Sequence, residues 1–404
     1  MYDVSTKAIW VVDPGMMEAG GHHAALAQTL CQGKARLTGA DIQVFASKQL
    51  DKNLQLSFSQ VGIPSYQVFD CHFYQHFDDS SQLGSAGMQG YIRGLAMEYT
   101  TVLLQGLEQA KTKAVVIFLP CLNWEHANAF SLASKGLEQA LCSAPIHIVA
   151  CAMYSPHSVK GEQAAKALWY AMAFRGLTKF NFVTLYGSEY ELCTDYSHLL
   201  LSAPLPMHPC YLMDWEGIEE SEDEDKPEKS VRYLLYMGDA KENKGFNRLP
   251  ELLEDGLKNT SDDTRFVIQF TLAWEYPEIM ETVHSLKRLA ADEPRLLLHH
   301  GFWSNNELLS VLSNITGAVC TYDSAVYQHK SSGLVWMLAF LQKPFLISDD
   351  CWLTREAARL NLDVYKDPNL AIGSLRAAIA VQPKSNNAYQ KLLFSPLIEW
   401  LVSH

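Results

Sequence analysis

A polar loop between an apolar strand and an apolar helix is the segment of this sequence best suited to hold an anion. The loop follows Cys320, and the first turn of the predicted helix holds Ser331, Ser332 and Gly333. Free backbone N–H groups and the positive end of the helix macrodipole form an anion site at such a turn, and the two hydroxyls add donors. The segment therefore predicts a diphosphate site; the alternative is that a serine only caps the helix.

A lysine-bearing loop follows the first strand of the second half of the chain. It runs from Gly238 to Gly245 and places Lys244 near the carboxyl end of that strand. A lysine there is positioned to neutralise a phosphate, although a lysine on a surface loop is also ordinary. Because the carboxyl ends of parallel strands meet at one edge of a sheet, we expect Lys244 to lie near the serine-rich turn.

Glycines and histidines near the start of the chain form another candidate loop. Gly20 and Gly21 precede His22 and His23, and glycine lets a backbone approach a ligand closely. The segment does not match the dinucleotide fingerprint, and the sequence has no phosphate-loop motif, so neither of those functions is favoured. Adjacent histidines point in different directions and no carboxylate lies at ligand spacing, so we expect no metal site.

His157 is the candidate catalytic residue of the first half. It follows the predicted strand Ile146–Ala152, which would bring it to the carboxyl edge of that sheet. The alternative is a packed or surface histidine. Glu125 and His126 form a comparable pair with a weaker claim, and the sequence lacks the Gly-x-Ser-x-Gly elbow of many hydrolases.

The candidate residues follow strands that alternate with helices. Continuous apolar strands separated by helices predict a parallel sheet covered on both faces, once in each half of the chain. The predicted strands are Ala8–Val12, Ala114–Leu119, Ile146–Ala152, Phe182–Leu185, Tyr233–Met237, Phe266–Phe270, Leu296–Leu298 and Ala318–Thr321. We also predict helices over Phe246–Leu257 and Leu308–Ser313.

A linker is predicted where this pattern fails. Pro204, Pro206 and Pro209 precede the acidic run Ser221–Asp225, a composition typical of a solvated connection. The predicted organisation is a first domain over 1–205, a linker over 206–230, a second domain over 231–385, and a final helix over 386–404 that could cross back.

The composition limits the classes of partner. Of the 404 residues 48% are hydrophobic, which is more than one core normally absorbs. The formal net charge of -13 would repel nucleic acid. Without an export signal or a membrane span, we expect a cytoplasmic protein, with peripheral membrane association left open. Nine scattered cysteines without a Cys-x-x-Cys pair indicate reduced thiols.

The second half resembles the donor-binding half of the group 1, GT-B-type retaining glycosyltransferases of the family-4 kind. The Gly-Arg-loop-Lys-Gly signature of that family corresponds to Gly238–Gly245, its hydrophobic-x-Gly strand end to His300–Phe302, and its Gly-hydrophobic-Glu-Ala helix to Ser331–Leu341. The loop from Gly20 to His23 resembles the acceptor-side glycine loop of the same family. The resemblance implies an α/β, GT-B fold of two Rossmann-like doubly wound domains facing a central cleft. It also implies a nucleotide-sugar donor, a saccharide or other hydroxyl acceptor, and no metal cofactor.

The sequence departs from that family in the donor site. Asp239 stands where the family usually has an arginine, and His329 and Met337 stand where it has a pair of glutamates. The second glutamate of the family commonly holds the ribose hydroxyls, and methionine cannot accept hydrogen bonds of that strength. Either the nucleotide is held differently, as in relatives with a Tyr-x-x-Lys-x-Ser-Gly pattern (here Tyr327–Gly333), or activity is lost.

Our first hypothesis is therefore a glycosyltransferase in which positive charge and N–H groups stabilise the departing phosphate. His157 is the predicted catalytic residue. The predicted donor contacts are Lys244, Tyr327, His329, Lys330, Ser331, Ser332 and Gly333, and the predicted acceptor or donor loop is Gly20, Gly21 and His22. One alternative is a non-catalytic glycosyltransferase-like protein that binds a sugar or a partner. Another is a two-lobed solute-binding protein, which the missing export signal disfavours.

Overall fold

Each half of the chain folds around its own parallel β-sheet. The computed structural model describes residues 7–17, 21–37, 39–71, 73, 84–157, 163–210, 231–272, 275–371 and 388–404. The chain divides into a first unit, residues 1–217 with 391–404, and a second unit, residues 218–390. Most of the predicted linker, residues 211–230, lies outside the described residues.

The first unit contains a six-stranded sheet that is buried on both faces. Its strands are β1 (Lys7–Asp13), β2 (Asp41–Ser47), β3 (Ser65–Phe69), β4 (Ala114–Leu122), β5 (Ile146–Ala152) and β6 (Val183–Gly187). All neighbours are parallel, in the order β3-β2-β1-β4-β5-β6. Along β1, Trp10 and Val12 enter one core while Ile9 and Val11 enter the other, which is why the strand reads as a continuous apolar run.

Helices cover both faces of this first sheet. They are α1 (Gly21–Arg36), α2 (Lys52–Gln60), α3 (Gly84–Gln109), α4 (Trp124–Gly136), α5 (Glu138–Ser143), α6 (Gln163–Leu177) and α7 (Tyr190–Leu200). The end of the chain returns to the same unit, where Leu397 and Ile398 of the last helix join the core beneath α1. A Cβ on Gly33 of α1 would lie 2.4 Å from Ile398 Cγ1, so only glycine allows the two helices to approach this closely.

The second unit repeats the strand order of the first. Its strands are β7 (Arg232–Asp239), β8 (Thr264–Thr271), β9 (Leu296–His300), β10 (Gly317–Cys320), β11 (Phe345–Ile347) and β12 (Val364–Lys366). They are parallel, in the order β12-β11-β10-β7-β8-β9. In both sheets the first strand of the unit lies between its second and fourth, and ligands of such sheets bind beyond the carboxyl ends at that position.

The helices of the second unit follow its strands in alternation. They are α8 (Leu249–Asn259), α9 (Pro277–Asp292), α10 (Asn305–Asn314), α11 (Gly333–Phe340) and α12 (Trp352–Arg359), and α13 (Ala388–Leu393) and α14 (Leu397–Val402) complete the chain. Among the described residues, no helix combines the length and apolar character that a membrane crossing requires.

The predicted strands are confirmed, with shifts at their ends, whereas one predicted helix begins late. Phe246–Arg248 forms a 3₁₀ turn after Gly245, and α8 begins at Leu249. Gly245 has a left-handed φ of 68°, so the right-handed helical conformation cannot continue through this residue.

Candidate functional site

The lysine-bearing loop of the second unit is tied to the end of the neighbouring strand. Thr321, just beyond β10, donates its hydroxyl to the Lys244 carbonyl at 2.6 Å, and the Asp323 N–H donates to the Asn243 carbonyl at 3.1 Å. A Cβ on Gly245 would lie 2.1 Å from the Thr321 carbonyl oxygen. The loop after β7 and the loop after β10 therefore form one surface at this sheet edge, because β7 and β10 are paired.

Asp239, the last residue of β7, lies between two lysines of that loop. Its Oδ2 is 2.9 Å from Lys241 Nζ and 3.5 Å from Lys244 Nζ, and its Oδ1 accepts a 2.9 Å hydrogen bond from Thr271. Burial alone would raise the pKa of Asp239, but Lys244, Lys241 and Thr271 outweigh burial and lower the pKa to about 2. The carboxylate is therefore charged at neutral pH.

A third lysine, Lys330, shares the electrostatic environment of this loop. Its ammonium lies 5.3 Å from the centroid of the Tyr327 ring, within cation–π range. Desolvation of the ammonium, followed by repulsion from Lys241 and Lys244, lowers the pKa of Lys330. Burial likewise lowers the pKa of Lys244, although Asp239 opposes that shift. Cations crowded in this way would be stabilised by a multivalent anion.

The serine-rich turn begins α11 without a side-chain cap. Ser332 is the N-cap residue, yet its hydroxyl makes no cap hydrogen bond; instead it shares a 3.3 Å hydrogen bond with the buried Tyr322 hydroxyl. Gly333 is the first residue of the helix. Ser332 therefore holds the N-cap position without a side-chain cap, and its hydroxyl lies beside the helix N-terminus, where an anion is favoured.

The loop that carries the remaining donor candidates is fixed from α12. Arg355 donates to the Gln328 carbonyl, and the Gln328 amide donates to the Asp350 carbonyl at 2.9 Å. Tyr327 is 2% exposed and its ring centroid lies 4.5 Å from that of Tyr322, whereas His329 is exposed. Met337 is half-buried on α11. The loop thus holds the Tyr327 ring beneath the Lys330 ammonium.

In the first unit, a buried carboxylate orients a histidine at the end of β1. Asp13 is 0% exposed; its Oδ2 lies 2.7 Å from His23 Nδ1 and its Oδ1 accepts the Gly15 N–H at 3.0 Å. A Cβ on Gly15 would lie 2.2 Å from the His23 ring, so the glycine makes room for the imidazole. A carboxylate at Nδ1 fixes the tautomer and the direction of Nε2.

His22 lies against a cysteine from the neighbouring strand. Its Nε2 is 3.7 Å from Cys121 Sγ at the end of β4, and its ring centroid is 4.0 Å from that of His23. Burial and then the neighbouring His23 lower the pKa of His22 well below the ordinary range of histidine. Cys121 Sγ also lies 3.5 Å from Met153 Sδ and 3.5 Å from the Tyr154 hydroxyl, and burial raises the pKa of this thiol.

His126 of α4 is held between two tyrosines of α3. The Tyr91 hydroxyl lies 3.1 Å from its Nε2 and the Tyr99 hydroxyl 3.0 Å from its Nδ1. Burial, and then the charge of His23, lowers the pKa of His126 to about 3. A neutral imidazole has one donor and one acceptor nitrogen, so one tyrosine donates to it and the other accepts. This arrangement is that of a satisfied core histidine.

The remaining sequence candidates are dispersed. Gly20 lies outside the described residues, and Gly21, with a φ of 74°, opens α1. His157 is half-buried after β5, and its backbone N–H donates to Ser155 Oγ at 3.1 Å.

Sequence reasoning missed Asp13, Cys121 and Lys241 as site residues. Asp13 and Cys121 lie at the carboxyl ends of β1 and β4, two strands that the sequence predicted, and Lys241 shares the loop of Lys244. Their position at the carboxyl ends of strands was the signal that could have identified Asp13 and Cys121 as site residues. No carboxylate lies at ligand spacing from the histidines in the sequence, but the fold brings Asp13 into contact with His23 across ten positions of the chain.

No protein-family model matches the sequence, and no curated protein matches it at a significant level. Solved structures do match in fold. The α,α-trehalose-phosphate synthase (UDP-forming) of Burkholderia xenovorans, in complex with glucose-6-phosphate, is 11% identical with a TM-score of 0.61, covering 98% of this chain and 97% of that chain.

Two further structures are similar over nearly the whole chain. HepE of Anabaena in complex with UDP is 11% identical with a TM-score of 0.57, covering 98% of this chain and 95% of that chain. The UDP-GlcNAc 2-epimerase of Neisseria meningitidis bound to UDP-GlcNAc is 12% identical with a TM-score of 0.57, covering 98% of both chains. At such identities the likeness shows the fold alone. The predicted α/β architecture of two Rossmann-like doubly wound domains, as in GT-B proteins, is confirmed, while membership of group 1 stays a prediction.

Proposed function

We propose that this protein is a glycosyltransferase that moves a sugar from a nucleotide-sugar donor to a hydroxyl acceptor. The observation that carries the proposal is the group of lysines Lys241, Lys244 and Lys330 around Asp239 at the carboxyl edge of the second sheet. Support comes from the similar structures, two of which contain UDP or UDP-GlcNAc. A fold shared at this distance does not fix an activity, so the lysine group is the stronger argument.

The donor diphosphate is proposed to bind between the lysine-bearing loop and the first turn of α11. Lys244 and Lys330 supply positive charge, and Ser331, Ser332 and the N–H of Gly333 supply hydrogen-bond donors. Tyr327 and His329 are proposed to lie along the nucleotide sugar.

Catalysis in this proposal consists mainly of charge stabilisation and positioning. As the bond between the sugar and the diphosphate breaks, negative charge grows on the leaving phosphate, where preorganised lysines are most effective. Because those lysines supply the positive charge, we propose that transfer needs no metal ion. Retention of configuration is proposed from the resemblance to the group 1 family, with the leaving diphosphate taking the acceptor proton.

The acceptor is proposed to be a saccharide, bound by the first unit. The trehalose-phosphate synthase of similar fold contains glucose-6-phosphate, which supports that class of acceptor. We assign the loop of Gly20, Gly21 and His22 to acceptor or donor contacts, and His157 to the catalytic residue. We propose that the reaction is cytoplasmic, since all nine cysteines are described and none forms a disulfide.

Turnover of UDP-activated and other nucleotide-activated sugars, with simple sugars and sugar phosphates as acceptors, tests the proposal directly. We expect His157→Ala to lower kcat at least tenfold while donor affinity, measured by calorimetry, is unchanged. The matched control is His198→Ala, because His198 is exposed on α7. Wild-type kcat in the His157→Ala protein would remove His157 from the reaction.

A second candidate function, non-catalytic binding of a nucleotide sugar, is favoured by two positions. The Asp239 carboxylate forms ion pairs with two of the lysines, Lys241 and Lys244. Met337 cannot replace a glutamate as a hydrogen-bond acceptor. The same experiment separates the two functions: donor binding without turnover for any acceptor would establish binding alone.

A further inference from the structure

Three soft or borderline metal ligands converge in the first unit, whereas the lysine group belongs to the second unit. They are His22 and His23 in the first turn of α1 and Cys121 near the end of β4. One potential ligand atom from each of the three lies within 4.8 Å of the other two. Cys121 is 99 positions from His22 in the chain, so sequence spacing could not have shown that the three residues form a cluster.

The spacing of these atoms suits a tetrahedral zinc ion. Zinc–nitrogen bonds of about 2.0–2.1 Å and zinc–sulfur bonds of about 2.3 Å, at a tetrahedral angle, put the nitrogen and sulfur roughly 3.5 Å apart. His22 Nε2 and Cys121 Sγ are 3.7 Å apart before any metal acts on them. The pair therefore needs little rearrangement to bind one ion.

Asp13 completes the usual surroundings of a zinc-bound histidine. Its Oδ2 lies 2.7 Å from His23 Nδ1, and the carboxylate is 0% exposed. A carboxylate that holds one ring nitrogen fixes the tautomer and makes Nε2 a better metal ligand.

We propose that His22, His23 and Cys121 form a zinc site, with Asp13 positioning His23 and a fourth coordination position open to water. Zinc binding releases the thiol proton of Cys121 to solvent, and the bound cation compensates the charge of the resulting thiolate. The zinc proposal does not rest on sugar transfer, although it shares His22 with the loop assigned above to acceptor or donor contacts.

Metal binding to the purified full chain tests the site. After removal of metals with a chelator, we expect Zn²⁺ to bind with a stoichiometry of one by calorimetry and to raise the unfolding temperature, because it binds the folded chain. Co²⁺ in its place should give the intense near-ultraviolet absorption of a cobalt–thiolate bond. The thiolate band is the decisive signal, since histidines elsewhere in the chain cannot produce it.

Cys121→Ser should abolish the cobalt–thiolate band and most of the zinc affinity. Cys151→Ser is the matched control, because Cys151 is also a buried thiol near the end of a strand of the same sheet. His22→Gln is a second variant at a half-buried position and should also weaken zinc binding, in case Cys121→Ser does not fold. Asp13→Asn should weaken it about 10- to 100-fold. A missing thiolate band in the wild type, or an unchanged band in Cys121→Ser, would overturn the proposal.

Discussion

Asp239 decides how much positive charge the lysine group can offer a phosphate. Its carboxylate contacts Lys241 at 2.9 Å and Lys244 at 3.5 Å, so an incoming diphosphate shares the two ammonium groups with it. Asp239 also raises the pKa of Lys244, which burial and Lys241 lower. The residue thus keeps the lysine charged while competing with the ligand for it.

Replacement of Lys244 tests whether the loop binds phosphate. In a partly buried site a charge-assisted contact contributes about 1.5–3 kcal/mol, so Lys244→Ala should weaken binding of a UDP-sugar about tenfold to hundredfold. Stability should change by less than about 1 kcal/mol, because the ion pair with Asp239 is partly exposed. Calorimetry at fixed ionic strength measures the affinity.

The control for this variant is Lys258→Ala, an exposed lysine in the last turn of α8. Equal donor affinity in the Lys244→Ala and Lys258→Ala proteins would show that Lys244 is only a surface charge. It would then favour the non-catalytic candidate function.

Asp239 should also make stability depend on acid pH. Its pKa of about 2 in the folded protein lies below its ordinary value of 3.8, so its stabilising contribution is full above about pH 4 and is lost as the pH falls through 2. The contribution is on the order of 1–2 kcal/mol after allowance for solvent screening. Urea unfolding should show a smaller acid loss for Asp239→Asn than for wild type or for Asp292→Asn, an exposed carboxyl on α9. Identical acid losses in all three proteins would contradict the ion-pair assignment.

At the scale of elements, two loops and one helix N-terminus make the proposed donor site, and the backbone of Gly245 lets the two loops pack together. The loop after β7 reaches the end of β10 through Gly245, and Ser332 begins α11 beside Tyr322. Arg355 of α12 fixes the intervening segment through Gln328. The positions of the lysines therefore depend on backbone packing.

Gly245→Val should destabilise the second unit. The residue has a φ of 68°, and a Cβ there would lie 2.1 Å from the Thr321 carbonyl oxygen. Left-handed backbone and a main-chain clash together should cost about 2–4 kcal/mol, measured by urea unfolding. Gly62→Ala separates the two causes, since Gly62 has a φ of 72° with nothing within 4 Å of its Cβ position, and should cost only about 1 kcal/mol. A similar loss in both variants would show that the clash with Thr321 is relieved without cost.

At the scale of the whole chain, the first unit is completed by the last residues of the sequence. Leu397, Ile398 and Leu401 of α14 are each at most 1% exposed within its core, and Lys7 donates to the Val402 carbonyl at 3.1 Å. The core of the first unit is therefore incomplete until α14 has been synthesised.

Ile398→Ala should destabilise the first unit by about 2–4 kcal/mol, because it leaves a cavity against Gly33 of α1. Chemical unfolding followed by tryptophan fluorescence measures the loss. Leu56→Ala is the control, since Leu56 is 59% exposed, and should change stability by less than about 0.5 kcal/mol. A loss below 1 kcal/mol for Ile398→Ala would mean that α14 adds little to this core.

The sequence alone determined the alternation of strands and helices and hence the fold class. The run Ile146–Ala152 is apolar at every position except His147 because both faces of the strand are buried, and that signal is local. The strands β2 and β3 were not predicted, because their burial is interrupted: Tyr66 of β3 is 43% exposed. The three-residue strands β11 and β12 are too short to show a period.

The tertiary structure decided which of the candidate residues meet. Lys244 and Thr321 are 77 positions apart and His22 and Cys121 are 99 apart, yet each pair meets at one sheet edge, because strands adjacent in a parallel sheet need not be adjacent in the chain. Strand order is set by packing and by the handedness of crossovers, which no local pattern records. The sequence could therefore name Lys244 and His22 as candidates, whereas only the fold could give them Thr321 and Cys121 as neighbours.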